Sequence, residues 1–203
     1  MESSMQYQVS IVRLFQPFVG NDSSIRRVTT YRDRARSLTF TAIKELRQLV
    51  FLHNVRHGWA NAIPLVLHIV TITSFGSLEE IVLQDRTKSC QKSSEAYQGL
   101  LICLQAMITL SSYVFYAQPL FRLLTQTCQT LCIPLPEEIV SRLNDYQSEE
   151  WTKNAASVVS SQYIADIRKT AAEVENARMD AIISGWESLN VADEGEKVTK
   201  TEE

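Results

Sequence analysis

The sequence has few of the residues that interrupt regular structure, with 6 glycines and 5 prolines among 203 residues. This scarcity argues against a turn-rich all-β chain. The sequence also has no G-x-S-x-G elbow, P-loop or G-x-G-x-x-G stretch, which are common signatures of hydrolases and nucleotide-binding enzymes. Its first residues have no apolar stretch of the kind found in secretory signals. These absences favour an intracellular helical protein without a recognisable catalytic motif.

The composition is that of a globular protein, with 45% hydrophobic and 21% charged residues. The net charge of −3 is unevenly distributed. Residues 1–60 carry nine basic and four acidic side chains, whereas residues 61–203 carry eleven and nineteen. The last stretch, 187–203, has six acids and two lysines and no apolar periodicity. We therefore predict one domain over residues 1–188 and a disordered acidic tail over residues 189–203.

Apolar residues recur at helical spacing along most of the chain, which predicts an all-α, irregular bundle of six or seven helices. The first helix should end or bend at Pro17. The second should end at His57, with Gly58 at the position that follows a helix. Buried residues are expected on the first helix at Tyr7, Ile11, Leu14, Phe15 and Phe18. On the second they are expected at Ala35, Leu38, Ala42, Leu46, Leu49 and His53.

The later helices are predicted over 63–75 with an extension towards residue 83, over about 96–110 and over about 119–131. Pro136 should start another, and a long helical pattern covers 151–186. The 63–75 segment has thirteen residues, whereas a membrane span needs about 20. We therefore expect a buried core helix there and no membrane association.

Two histidine and cysteine pairs have the i, i+4 spacing that places side chains on one helix face. They are His53 with His57 and Cys128 with Cys132. Together they could form a zinc site if their helices met. The alternative, which we favour, is that the cysteines are reduced and buried and hold no metal. His53 to His57 also resembles the H-E-x-x-H zinc-protease motif, but Asn54 replaces the required glutamate.

Other candidate residues also have a structural interpretation. A basic run could contact phosphates, but helical geometry scatters it, so solvated side chains are expected. It comprises Arg26, Arg27, Arg32, Arg34 and Arg36. His68 lies in an apolar helix and is expected to be a core residue. Trp59, Trp151 and Trp186 are expected to be packing anchors rather than ligand platforms. The sequence thus predicts no catalytic residue, metal or cofactor, and leaves cofactor-binding residues unidentified.

Five segments, in order, resemble the fungal-specific transcription factor domain, the middle homology region of zinc-binuclear-cluster regulators. The segment Met5-Gln-Tyr-Gln to Pro17-Phe18 is similar to the family's "MQYH…RPF" helix. The others are residues 35–49, the Ile63-Pro64 helix, residues 97–110, and Ile133-Pro134-Leu135-Pro136-Glu137-Glu138, which is similar to "GIPLPEE". The match at 35–49 is loosened by Arg36, Ser37 and Thr41.

This resemblance implies a nuclear transcription regulator that controls a biosynthetic or nutrient-utilisation gene cluster, and not an enzyme. The family's DNA-binding module needs six cysteines near its N-terminus, whereas this sequence has four, the first at Cys90. We therefore expect the C-terminal portion of a regulator, without sequence-specific DNA binding. Its partners would be other transcription proteins or a second copy, and its effector is undetermined. A helical interaction adaptor and a small helical enzyme are the alternatives.

Overall fold

A computed structural model of the chain describes residues 2–19, 28–60, 62–85, 94–158 and 178–186. The helices are α1 (Glu2–Val19), α2 (Val28–His57), α3 (Pro64–Asp85), α4 (Glu95–Leu110), α5 (Ala117–Thr130), α6 (Glu137–Asn144), α7 (Glu149–Val158) and α8 (179–186). None of these described residues is in a β-strand. The all-α prediction is confirmed, with eight helices rather than six or seven. The tail predicted over 189–203 lies outside the described residues, as do residues 159–177 of the helical pattern predicted over 151–186.

The helices pack irregularly around α3 and α4, which contribute the most deeply buried side chains. Helix α1 packs chiefly on α2, and α5 packs on α4 and α3. One contiguous cluster of buried apolar residues extends from Met5 on α1 to Trp186 on α8. The described parts of the chain therefore share a core, although α6, α7 and α8 contact it mainly through α5 and its neighbours.

Small residues let α3 and α4 approach α2 closely. A Cβ atom at Gly76 would lie 2.5 Å from Cδ1 of Ile43, and one at Gly99 would overlap the stem of Arg47. Arg47 is buried and forms an ion pair with Glu80 at 2.6 Å. The core between these three helices thus contains a charged contact that joins α2 to α3.

Helix α3 buries several hydroxyl groups without leaving them unsatisfied. Thr71, Thr73, Ser74 and Ser77 each donate to the carbonyl four residues earlier, at 2.7–2.8 Å. This local bonding allows polar residues to face an apolar core. Helix α3 has 22 residues and contains a 20-residue window, Pro64–Leu83, that is long and apolar enough to cross a membrane. The expectation that this helix is too short to cross a membrane was therefore wrong. However, 72% of that window is buried by neighbouring helices, as in a core helix.

Helix α1 is apolar on two opposite faces, and the structure buries the face that was not predicted. Met5, Val9 and Val12 pack in the core. The predicted stripe lies outside, with Tyr7 65%, Leu14 64% and Phe18 51% exposed, while Ile11 and Phe15 are half-buried. Both sets recur at helical spacing, so periodicity alone does not distinguish the face that packs on α2. The helix also continues two residues beyond Pro17.

Helix α2 follows the prediction more closely. Ala35, Ala42, Leu46 and His53 are buried, and Leu49 packs partly against the core. Leu38 is 37% exposed, and the neighbouring Thr39 is buried in its place. Helical geometry places Thr39 near the centre of the buried face and Leu38 about 100° away from it, so the polar residue is enclosed and the apolar one lies towards solvent. The second predicted stripe is thus right except at Leu38.

Two helices end at a residue with a left-handed backbone, and one of these residues is unusual. Gly58 follows α2 with φ 65°, and its N–H donates to the carbonyl of Asn54 at 3.0 Å. Cys132 follows α5 with φ 54°. Its N–H donates to the carbonyl of Gln129 at 3.0 Å, and the N–H of Ile133 donates to the carbonyl of Cys128 at 2.8 Å. This is the Schellman pattern, which glycine usually completes. Side chains with a Cβ are strained in this conformation.

We expect Gly58→Ala and Cys132→Gly to change the stability of the fold in opposite directions. Gly58→Ala should lower the free energy of unfolding by about 1 kcal/mol, because nothing lies within 4 Å of the new Cβ and only backbone strain changes. Cys132→Gly should raise it by up to about 1 kcal/mol. Urea unfolding followed by circular dichroism measures both. A Cys132→Gly variant less stable than the parent would contradict a strained helix end.

Candidate functional site

The most unusual polar group in the structure is the buried guanidinium of Arg122 on α5. Its neighbours along the helix, Phe121 and Leu124, are fully buried, and Arg122 itself is only 5% exposed. Helical spacing places it on the same buried surface as Thr125. Burial lowers the pKa of Arg122 to about 10, so the side chain remains charged near neutral pH.

Aromatic rings surround this cation. Its Cζ atom lies 4.2 Å from the ring centre of Trp186 on α8 and 5.4 Å from that of Trp151 on α7. One terminal nitrogen donates to the carbonyl of Tyr146 at 3.0 Å and to the hydroxyl of Thr152 at 3.1 Å. We call Arg122, Tyr146, Trp151, Thr152 and Trp186 the Arg122 cluster.

The Arg122 cluster contains a positive charge without an opposite charge. Within the described parts of the chain, no carboxylate lies within ion-pairing distance of Arg122, and its Nε makes no hydrogen bond. Two indole rings can stabilise a desolvated guanidinium by about 2 kcal/mol or more. Through these contacts Arg122 joins α7, α8 and the residue Tyr146 that precedes α7 to α5. Its geometry suits positioning of the C-terminal helices rather than acid–base chemistry.

The aromatic rings also contact one another, which extends the cluster. Tyr146 packs edge-on against Phe121, with ring centres 5.9 Å apart, and its hydroxyl lies 3.0 Å from that of Ser111. The indole N–H of Trp151 donates to Gln118 at 2.8 Å. These contacts hold both rings in addition to their contacts with Arg122. Sequence patterns placed the three tryptophans as packing anchors, and their packing against the core confirms it.

A second group of side chains surrounds the turn between α2 and α3. His53 is buried and stacks on Trp59, with ring centres 4.9 Å apart and planes 17° apart. The hydroxyl of Tyr113 donates to the carbonyl of Trp59 at 2.7 Å and lies 3.0 Å from that of Ala62. This group attaches the turn to the connection between α4 and α5.

The pairs considered as zinc ligands are arranged differently. His53 and His57 are neighbours, with ring centres 5.4 Å apart. Cys132 lies beyond the end of α5 and is exposed, whereas Cys128 is buried inside the helix. The assumption that the two cysteines share one helix face was therefore wrong. Over the described ranges, no three histidine, cysteine or acidic residues form a group that could hold a metal ion.

The remaining candidates are dispersed. Burial raises the pKa of the Cys103 thiol to about 12, opposed by a hydrogen bond with Ser74 and by the charge of Arg47, so this thiol is a weak nucleophile. In the basic run, Arg34 and Arg36 are exposed and Arg32 is half-buried. Arg26 and Arg27 lie outside the described residues. Sequence analysis missed Arg122 as a site residue. The available signal was a charged residue inside the apolar stretch Leu120 to Leu124.

The protonation of His68 on α3 should make the stability of the fold depend on pH. Burial, together with the positive charge of Arg13 on α1, lowers its pKa to about 4. The unfolded chain has the ordinary value of about 6.5. Between these values the unfolded chain binds the extra proton more readily, so folding stability should fall as pH falls from about 6.5 to 4.

We expect His68→Gln to reduce this loss. Urea unfolding at pH 7 and pH 5 measures the difference for the parent and the variant. His57→Gln is the matched control, because His57 is exposed. Equal pH dependence in the parent and His68→Gln would contradict the role of His68.

No family model, curated protein sequence or solved structure matches this chain.

Proposed function

We propose that this chain is the regulatory domain of a fungal transcription factor, without its own zinc-cluster DNA-binding module. In this proposal it acts in the nucleus, has no catalytic activity, and controls genes of a biosynthetic or nutrient-utilisation cluster. Its partners would be other transcription proteins or a second copy of the chain. The support is the sequence resemblance, together with the packing of the resembling segments described below.

The observation that carries the proposal is that the five resembling segments meet in one core. They lie on α1, on α2, at the start of α3, on α4, and between α5 and α6. Buried residues from all of them belong to the same apolar cluster. Two segments are also joined directly, because the hydroxyl of Tyr97 on α4 donates to the carbonyl of Pro134 at 2.8 Å. Segments that resemble a family in order and also pack together favour a shared fold over chance similarity.

A tethering experiment tests this function. The chain is fused to a heterologous DNA-binding module and activation domain, and reporter transcription is compared with the fusion that lacks the chain. We expect the chain to change output several-fold. Leu46→Ala, which disrupts the core, should abolish the change, whereas Leu38→Ala at an exposed position should retain it. Unchanged output from the parent fusion, at equal protein level, would contradict a regulatory role.

An interaction adaptor remains a second candidate, favoured by the outward-facing apolar residues of α1. Tyr7, Leu14 and Phe18 form an exposed stripe on one helix face. Contiguous exposed apolar surface is typical of binding sites. An adaptor would bind its partner constitutively and would leave the tethered reporter unchanged.

A further inference from the structure

We propose that the outer face of α1 is a self-association surface, through which two copies of this chain pair antiparallel about a two-fold axis. The surface consists of Tyr7, Ile11, Leu14 and Phe18, and we call it the α1 outer stripe. This proposal does not depend on the function proposed above, since it rests only on exposure, spacing and charge.

The spacing of the α1 outer stripe is that of a helix–helix seam. Its residues are separated by four, three and four positions, which is the alternation of the a and d positions in a heptad. The inner face of α1 already packs on α2 through Met5, Val9 and Val12. Tyr7, Leu14 and Phe18 are therefore additional to the apolar residues that pack in the core, whereas Ile11 packs partly against it.

The stripe is complementary to itself. In an antiparallel pair centred between Ile11 and Leu14, Tyr7 of one copy lies opposite Phe18 of the other, and Ile11 lies opposite Leu14. Every apolar residue then contacts an apolar residue, and the same patch serves both copies, as a two-fold interface requires. The symmetry of the spacing identifies a second copy as the occupant.

Charge also permits identical copies to approach. The residues beside the stripe are uncharged: Gln8, Ser10, Phe15 and Pro17. Among the side chains described on α1, only Arg13 is charged. Helical geometry places it about 130° around α1 from the centre of the stripe. No charged side chain described on α1 therefore lies within the stripe.

The exposed area fits a small dimer interface. With an aromatic side chain at about 200 Å², the exposed fractions of Tyr7, Leu14 and Phe18 amount to roughly 350 Å² per copy. A standard interface buries about 800 Å² per partner, of which about 450 Å² is non-polar. The stripe supplies most of that apolar part. The interface is therefore at the small end of the range.

Sedimentation equilibrium of the full chain between about 1 and 300 μM tests the proposal. The expected result is a concentration-dependent rise from the 23.1 kDa monomer towards twice that mass. Leu14→Glu should weaken association more than tenfold without lowering the thermal midpoint, because Leu14 is exposed in the monomer. Val55→Glu is the matched control, since Val55 is 65% exposed but lies on α2. A monomer throughout this range, or equal effects of the two variants, would overturn the proposal.

Cross-linking tests the orientation. In a Cys90→Ser, Cys132→Ser background, Tyr7→Cys mixed with Phe18→Cys should form a disulfide-linked pair on mild oxidation. Phe18→Cys alone should not, because an antiparallel arrangement separates the two copies of this position by about 16 Å along the axis. Efficient cross-linking of Phe18→Cys to itself would overturn the antiparallel pairing.

Discussion

Replacing Leu46 with alanine is expected to lower the free energy of unfolding by about 2–5 kcal/mol. Leu46 is fully buried on α2, the helix that packs on both α1 and α3. Removing it leaves a cavity in a core that cannot close completely around the gap. The loss is a large share of a typical stability of about 5–15 kcal/mol. Urea unfolding monitored by far-ultraviolet circular dichroism measures it.

Leu38→Ala is the control for this experiment. The residue type, the substitution and the helix are the same, but Leu38 is 37% exposed. We expect a cost within about 1 kcal/mol, since a partly exposed side chain loses little transfer energy and leaves no cavity. Equal losses from Leu38→Ala and Leu46→Ala would place the buried face of α2 one position away from where the structure puts it.

Replacing Arg122 with alanine is expected to cost roughly 2–4 kcal/mol. The change removes the cation held by Trp151 and Trp186 and leaves the carbonyl of Tyr146 without its donor. The C-terminal helices should loosen as well, because Arg122 connects them to α5. Thermal unfolding gives the stability loss, and near-ultraviolet circular dichroism reports the indole environments.

The variant Arg122→Met tests the contribution of the side-chain volume separately from that of the positive charge. Methionine also removes the cation and its hydrogen bonds, but it fills much of the same space and needs no desolvated charge, so we expect a cost within about 1.5 kcal/mol. Near-wild-type packing of the tryptophans in this variant would show that the side-chain volume holds the helices. A loss as large as that of Arg122→Ala would show instead that the positive charge itself is required, contrary to our expectation.

The sequence was sufficient to predict that these elements are helices, because helical periodicity is a local property. Gly58 marked the end of α2, and the apolar run after Pro64 marked α3. The choice of buried face depends on packing between helices, which local pattern does not contain. On α1 two stripes compete, and only contact with α2 selects Met5 and Val9 over Tyr7 and Leu14.

The Arg122 cluster was harder to predict from the sequence, for the same reason. Arg122, Trp151 and Trp186 are far apart along the chain, and no spacing rule relates them. Cys132 shows a different limit, because a left-handed residue at a helix end is normally signalled by glycine, and here that signal is missing. Both cases depend on tertiary contacts that outweigh local preferences.

The central claim is that the five segments resembling one family form a single cooperative core. Native-state amide hydrogen exchange tests this claim most directly, because it gives the free energy of opening for each helix. The account predicts that core amides of α2, α3, α4 and α5 exchange with one common value, equal to the free energy of global unfolding. Separate, much lower values for α4 and α5 than for α2 and α3 would contradict it, since the resembling segments would then belong to independent units.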